Sequence, residues 1–258
     1  MTKQQIAVLL SAFVLFAGLY FGFETKPKER KAIERSREIQ GESTSFSTLL
    51  EDAQSHLAPA EAEKMAAAMQ KLENTGADSE KINLLKSLSG QWYALGNLPV
   101  SGGFAEQVAE IENADSAWSV AGATFFEALL KAESPEMRDY CANHAVKAFE
   151  SAASLNPGNV QHRVNLALVY AENPPPDKPM TAALMLRELA EKHPNNPAPF
   201  NALGRLAIKT GQWQRAVERL EHSWSLDKNN PNTPCLLAKA YEGAGNAAKA
   251  AEFAKICK

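Results

Sequence analysis

Between Pro197 and Lys258 the chain repeats one pattern of small and apolar residues at an interval of 34 residues. Five positions of the first copy recur in the second: Leu203 and Leu237, Gly204 and Ala238, Gly211 and Gly245, Ala216 and Ala250, and Leu220 and Ala254. Within each copy the apolar residues have the spacing of one helix face, and a glycine separates two such segments. The pattern therefore predicts two helical hairpins, with Gly204 facing Ala216 in the first. A hairpin of this size cannot bury its own apolar face, so each must stack on a neighbour.

Two further copies precede this pair, and each departs from the pattern. The copy from Val160 to Asn196 has 37 residues and contains the proline-rich segment 173–179. Proline interrupts a helix, so we expect a long turn there. The copy from Asp115 to Asn159 has 45 residues, which predicts two lengthened helices that meet near Ser134 and Pro135.

The repeated pattern resembles the tetratricopeptide repeat (TPR), whose period and small-residue positions it matches. The resemblance covers residues 115–258 as four repeats, 115–159, 160–196, 197–230 and 231–258. It implies an all-α, TPR-like helical-hairpin solenoid, similar to membrane-anchored bacterial-type TPR proteins. Residues 44–114 are expected to form a helical region with one degenerate half-repeat around Leu85, Leu88 and Trp92. After it we expect a loop through Gly102 and Gly103, and then a helix from Phe104 to Asn113.

The amino-terminal sequence predicts a membrane anchor. After a short segment, residues 1–5, an apolar run of 18 residues extends from Ile6 to Phe23 without a charge. This length is close to the minimum for a spanning helix, and no pair of small residues before Glu24 suggests a cleavage site. We therefore expect a single N-terminal transmembrane helix over 6–23 and a charged juxtamembrane linker over 24–43. A cleaved signal peptide and a buried core helix are the alternatives.

The charge flanking this run predicts a single-pass protein of the cell (inner) membrane with its repeats in the cytoplasm. Six Lys or Arg residues follow the run between Lys26 and Arg37, whereas Lys3 alone precedes it. Lys and Arg are retained on the cytoplasmic side. A periplasmic or extracytoplasmic repeat domain is the alternative, because export anchors also begin with a short segment carrying one lysine.

Charge and motif content exclude several function classes. The chain carries a formal net charge of −3 and no basic cluster in its repeats, which is not typical of nucleic-acid binding. No arrangement of Ser, His and acidic residues suggests a catalytic triad, so we predict no enzyme, no catalytic residue and no cofactor. Cys141 and His144 have metal-ligand spacing, but two ligands do not make a site, and we predict no metal.

The three cysteines do not indicate a disulfide framework. Cys235 and Cys257 lie at similar height in the last hairpin, on either side of its turn. The repeat register points Cys235 toward the groove and Cys257 toward the packing side of the second helix. We therefore expect their side chains to diverge and the cysteines to remain unpaired; pairing is the alternative.

In the resemblance, the first helix of each repeat lines a concave groove that binds partners. The residues at groove positions that we select as partner-binding candidates are Asn165, Asn201, Arg205, Lys209 and Lys239. Arg205 and Lys239 occupy equivalent positions in neighbouring repeats. Such a row suits a protein or peptide that is anionic or carboxylate-ended, because charge-assisted bonds are strong where water is excluded. The alternative is that these cations only keep the helices soluble. The chain also lacks the complete Lys and Asn set of the carboxylate-clamp members.

These features predict a membrane-tethered protein-protein interaction scaffold, or adaptor, that binds a peptide or client protein in the groove. An envelope chaperone or an accessory factor for secretion or cytochrome assembly is the alternative, and an enzyme without a recognisable motif is a more distant one. The final helix presents an alanine face, Ala247, Ala250, Ala251 and Ala254, and no polar capping helix follows it in the sequence. We expect this face to dock a partner or a second copy; the alternative is that it stays exposed without consequence.

Overall fold

The computed structural model describes Gln5 and residues 44–257, and every regular element in this part of the chain is an α-helix. The twelve described helices are α1 Phe46–Ser55, α2 Pro59–Asn74, α3 Asp78–Ala94, α4 Leu98–Glu112, α5 Asp115–Lys131, α6 Pro135–Leu155, α7 Val160–Glu172, α8 Thr181–Lys192, α9 Pro197–Lys209, α10 Trp213–Leu226, α11 Asn232–Gly243 and α12 Ala247–Ala254. The all-α prediction is confirmed.

The helices from α3 to α12 form five consecutive hairpins, each made of an odd-numbered helix and the next one. Each pair of consecutive helices in this series packs together. The first helices of successive hairpins, α5, α7, α9 and α11, also contact one another in order. This stacking of hairpins is a helical solenoid, as the repeat pattern predicted.

Three of the hairpins close with the same glycine turn. Gly96, Gly211 and Gly245 have φ of 79°, 69° and 79°, in the left-handed region that favours glycine. In each case the following backbone N–H donates to a carbonyl five residues earlier, at 2.8 to 3.0 Å. The pair α3 and α4 is therefore a complete hairpin of the same kind, rather than the half-repeat that the sequence suggested.

The loop predicted through Gly102 and Gly103 does not exist. Helix α4 begins at Leu98, where the Asn97 side chain accepts a hydrogen bond from a backbone N–H of the first turn, and continues through both glycines. A methyl group at Gly102 would lie 2.9 Å from ring carbons of Phe125. Gly102 therefore lets α4 approach α5 closely, and the glycine pair is not a turn.

A second close glycine contact joins α9 to α10. Gly204 on α9 was expected to face Ala216, and a Cβ added at Gly204 would lie 2.4 Å from Cγ of Leu220, one turn further along α10. The small residue on one helix thus accommodates a large residue on the other. Both Ala216 and Leu220 are fully buried in this hairpin.

Apolar residues form several clusters in sequence along the solenoid. One cluster joins α5, α6 and α7 around Phe125, Leu129 and Phe149. The next joins α7, α8 and α9, and a further one joins α9 to α12 around Leu220 and Leu237. Each hairpin therefore completes its core with residues of its neighbour.

The two irregular copies form longer connections or longer helices. The segment between Glu172 and Thr181 holds the prolines and contains two backbone turns, closed by Lys178 and Thr181 N–H groups. Helices α5 and α6 have 17 and 21 residues, and Ser134 caps the start of α6. The extra residues thus extend the hairpin without breaking its packing.

The predicted localisation at a cell membrane is contradicted. Among the residues that the structure describes, no helix is long and apolar enough to cross a membrane. The predicted anchor, 6–23, and the linker, 24–43, lie outside the described residues. The chain divides into two units, Met1–Thr48 and Leu49–Lys258. In the described part of the first unit, the hydroxyls of Ser45 and Thr48 are hydrogen bonded at 2.9 Å.

Candidate partner-binding groove

A cavity of about 460 Å³ lies on the face formed by α7, α9 and α11, the first helices of three successive hairpins. Its polar lining consists of five carboxamides and one guanidinium: Gln161, Asn165, Asn201, Asn230, Asn232 and Arg205. Its apolar lining consists of Val164, Leu168, Ala198, Ala202 and Leu236, with Cys235 beside them. A surface of this kind can hydrogen bond to a peptide backbone and also contact an apolar side chain.

Asparagine side chains fix where the three groove helices begin. Asn159 accepts a hydrogen bond from the Gln161 N–H at 3.1 Å, and Asn196 accepts one from the Ala198 N–H at 2.9 Å. Asn230 similarly accepts from the backbone at the start of α11, at 3.0 Å. Because each helix starts with the same geometry, equivalent positions of the repeat face the same cavity.

Two of the predicted site residues, Asn165 and Asn201, are oriented by neighbouring side chains. Gln161 Nε2 donates to Oδ1 of Asn165 at 2.7 Å, and Asn201 Nδ2 donates to the hydroxyl of Thr233 at 2.8 Å. Thr233 is fully buried, so the Asn201 amide is held against α11. No described residue donates a hydrogen bond to the side-chain oxygen Oδ1 of Asn201. Asn201 can therefore accept from a peptide N–H without losing its own contact.

Arg205 is the guanidinium of the cavity, and its surroundings leave its charge unpaired. It is exposed, and no carboxylate of the described residues forms an ion pair with it. The structure thus places Asn165 on α7 and Asn201 and Arg205 on α9 around one cavity.

The two predicted lysines lie outside this cavity lining. Lys209 Nζ donates to the Ala171 carbonyl and to Oε2 of Glu172, both at 2.7 Å, so its charge connects α9 to the end of α7. Lys239 is exposed on α11, one helical turn after Cys235. The predicted row of groove cations is therefore divided between a paired lysine, an unpaired arginine and a flanking lysine.

The expectation that Cys235 and Cys257 stay unpaired is wrong. The structure joins them in a disulfide, with their Cα atoms 4.7 Å apart. The repeat register assigned Cys257 to the packing side of the second helix, but the chain beyond Ala254, where α12 ends, places Cys257 beside the beginning of α11.

A buried ionic cluster lies away from the groove, between α4 and α6. Glu106 is 6% exposed, and its carboxylate binds His144 Nδ1 at 2.5 Å and Lys147 Nζ at 2.6 Å. Burial alone would raise the pKa of Glu106, but the hydrogen bonds from His144 and Lys147 outweigh it and lower that pKa. Sequence inspection missed this cluster, because its members come from two hairpins whose pairing the repeat register does not specify.

Cys141 and His144 do not act as a pair, although their spacing permitted it. Cys141 is fully buried, and burial raises the pKa of its thiol to about 12. His144 instead contacts Glu106 and stacks on the ring of Phe125. Within residues 44–257, no three His, Cys, Asp or Glu side chains are grouped to hold a metal ion.

No protein-family model and no curated protein matches the chain. Among solved structures, it is similar to Cut9 in the APC/C hetero-tetramer Cut9-Hcn1, with a TM-score of 0.50, 14% identity, and coverage of 74% of this chain and 35% of that chain. It is similar to MamA from Desulfovibrio magneticus, with a TM-score of 0.43, 16% identity, and coverage of 70% and 95%. It is also similar to YrrB, described as a TPR protein with an unusual peptide-binding site, with a TM-score of 0.37, 16% identity, and coverage of 74% and 90%.

Identities this low report on the fold alone. Of these three structures, Cut9, a TPR-type protein, has the highest TM-score, 0.50. Together with the stacked hairpins and their glycine turns, this similarity shows a TPR-like fold.

Proposed function

We propose that this protein is a protein-protein interaction scaffold that binds a peptide segment of a client in the cavity formed by α7, α9 and α11. The segment lies across the three helices, with an apolar side chain over Val164 and Leu236 and an acidic side chain or terminal carboxylate at Arg205. Asn165 and Asn201 bond to its backbone. Lys239 flanks the site and adds positive charge at the α11 side.

The observation that carries this proposal is the unpaired charge of Arg205 in a concave, amide-lined cavity. Lys209, one turn further along the same helix, already has its carboxylate partner in Glu172. Arg205 has none among the described residues, so a ligand carboxylate can form both hydrogen bonds of a bidentate pair there. A cation kept only for solubility does not require five carboxamides around it.

The oriented amides are the second support. Peptides that bind in extended form offer alternating N–H and C=O groups, and carboxamides can pair with both. The Asn201 amide is held by buried Thr233 before any ligand arrives, which lowers the entropy lost on binding.

The test starts from peptides selected by phage display against the full chain. Each selected peptide is titrated by calorimetry beside two matched versions, one with its terminal carboxylate amidated and one with each Glu or Asp replaced by Gln or Asn. We expect one of these replacements to weaken binding about tenfold to a hundredfold, the value of a lost charged hydrogen bond.

The variant Arg205→Gln should produce the same loss, and the two losses should not add, because both remove one contact. Lys209→Gln serves as the matched control, since it removes an equal charge from the same helix but outside the cavity. Equal affinity of the three peptide versions for the wild-type chain and for Arg205→Gln would contradict a carboxylate at Arg205. Failure to select any peptide that competes for the cavity would contradict the scaffold function itself.

A further inference from the structure

The wall of the binding cavity contains a disulfide. Cys235, the fourth residue of α11, lines the cavity and is half-buried, and Cys257, beyond the end of α12, is exposed. The two cysteines are separated by 22 residues. The bond therefore closes the last described hairpin and at the same time lies at a residue that lines the groove.

The third cysteine shows what an unreactive thiol looks like in this fold. Cys141 is enclosed by the cluster around Phe125 and Phe149, and burial disfavours its thiolate. Thiol chemistry requires access and stabilisation of the thiolate, and Cys141 has neither. Cys235 differs in both respects, because it lines a cavity that also contains Arg205, and Lys239 lies one turn away on the same helix.

Two cations lie on the groove side of the disulfide. Lys239 follows Cys235 by four residues on α11 and so lies on the same helix face. Arg205 lines the same cavity. Cys235 also lies in the first turns of a helix of 12 residues, where unpaired N–H groups favour an anion. These groups attract an incoming thiolate and stabilise a thiolate that is released.

We propose that the Cys235–Cys257 disulfide exchanges with thiols that enter the groove, so that a thiol-bearing peptide becomes covalently attached to Cys235. The incoming thiol loses its proton to solvent, and its sulfur attacks Sγ of Cys235. The Cys235–Cys257 bond breaks as the new bond forms, and Cys257 leaves as a thiolate that takes up a proton. One disulfide is exchanged for another, so no further oxidant or reductant is required.

The reverse step releases the peptide. Cys257 stays attached to the end of the same hairpin and can attack Cys235 again, which expels the bound thiol and restores the original disulfide. This cycle goes beyond non-covalent binding, and it operates in an oxidising environment, where the starting disulfide persists. It requires a thiol in the groove but not the carboxylate contact at Arg205 proposed above.

Reduced glutathione is the probe. The full native chain is incubated with excess glutathione, the reaction is trapped with N-ethylmaleimide, and peptide mapping by mass spectrometry assigns the glutathione. We expect a mixed disulfide on Cys235, a maleimide on Cys257 and no modification of Cys141.

Two charge variants separate exchange in the groove from general reduction. Lys239→Gln should slow adduct formation about threefold to tenfold, because it weakens the stabilisation of the sulfur anions. Lys192→Gln, on α8 and outside the cavity lining, removes the same charge and should leave the rate unchanged. Circular dichroism of both variants verifies that the helices are intact.

Three results would overturn the proposal. The first is a disulfide that reacts only in urea, in proportion to the unfolded fraction, which would make it a structural cross-link. The second is attachment of glutathione to Cys257 instead of Cys235. The third is equal rates for Lys239→Gln and Lys192→Gln. Because glutathione reports exchange directly, these outcomes do not depend on whether selected peptides bind at Arg205.

Discussion

Glu106 keeps a charged carboxylate inside the stack because a lysine and a histidine from the next hairpin, Lys147 and His144, hydrogen bond to it. Lys147 binds Glu106 at 2.6 Å, binds Glu110 at 3.0 Å and lies 5.5 Å from the ring centroid of Trp118. The cluster connects α4 to α6, the second helices of successive hairpins. A buried charge that loses its partner is costly, so the cluster makes the contact between these hairpins sensitive to single substitutions.

Replacing the Glu106 carboxylate should destabilise the fold. Glu106→Gln leaves His144 and Lys147 without their charged acceptor, and we expect a loss of about 1 to 3 kcal/mol in the free energy of unfolding. Urea denaturation followed by circular dichroism measures it. Glu110→Gln is the control, since Glu110 is exposed and binds the same lysine, and it should change stability by less than about 1 kcal/mol. Equal losses in the two variants would contradict the role of burial.

The same carboxylate should make stability depend on acid pH. Its pKa is lowered in the folded state, so its contribution is fully present above the ordinary value of 4.5 and is lost as pH falls through the lower folded value. Urea midpoints measured in steps from neutral to strongly acid pH should therefore decline below that value. The decline should be smaller in Glu106→Gln, which has no proton to gain, than in the wild-type chain. A parallel decline in both would assign the acid sensitivity to other carboxylates.

Two helix glycines lie in opposite environments, one packed and one exposed. Replacing each by alanine should therefore change stability in opposite directions. Gly204→Ala places a methyl group 2.4 Å from Leu220 Cγ, so we expect destabilisation by about 1 to 3 kcal/mol. Gly90 lies on an exposed face of α3 with no heavy atom within 4 Å of an added Cβ. Gly90→Ala should therefore stabilise the helix by about 0.5 to 1 kcal/mol. Thermal melts of both variants measure these changes. Shifts in melting temperature of the same sign would contradict the role of packing at Gly204.

The helices could be predicted from sequence where the determinants were local. Leu203 and Leu237 occupy the same position in successive repeats. Each belongs to a series of apolar residues with helical spacing and precedes a glycine with positive φ, and both lie in helices, as the pattern predicted. Gly102 and Gly103 were interpreted as a loop because a glycine pair usually marks a turn. In the structure both glycines are helical, and Gly102 packs against Phe125 of the next hairpin, a contact that no local pattern reveals.

The candidate site also has features that the sequence could predict and features that it could not. Asn165, Asn201 and Arg205 border one cavity because equivalent repeat positions face one side of stacked helices, which register alone predicts. The pairing of Lys209 with Glu172 could not be predicted, since it depends on how a long side chain crosses between hairpins. The disulfide was missed because the repeat register does not specify how the chain beyond Ala254 lies against the beginning of α11.

Across the stack, each hairpin completes its core only with its neighbours, and this limits how far a defect can spread. The cluster around Leu237 contains residues of α9 to α12 and none of α3 to α6. Stability in such a fold is approximately a sum of hairpin terms and nearest-neighbour interfaces. A core truncation should therefore loosen its own hairpin and the adjacent one before the rest unfolds.

Truncating one core leucine in the first and one in the last of the five hairpins tests this expectation. Leu237 and Leu88 are both fully buried, in α11 and α3. Either residue changed to Ala should cost about 2 to 5 kcal/mol locally. Hydrogen exchange should then show lost protection in α9 to α12 for Leu237→Ala, with α3 and α4 still protected, and the reverse pattern for Leu88→Ala. Uniform loss along all helices in both variants would mean that the described array unfolds as one cooperative unit, in which case the groove could not loosen at its α11 wall while its α7 wall stays folded.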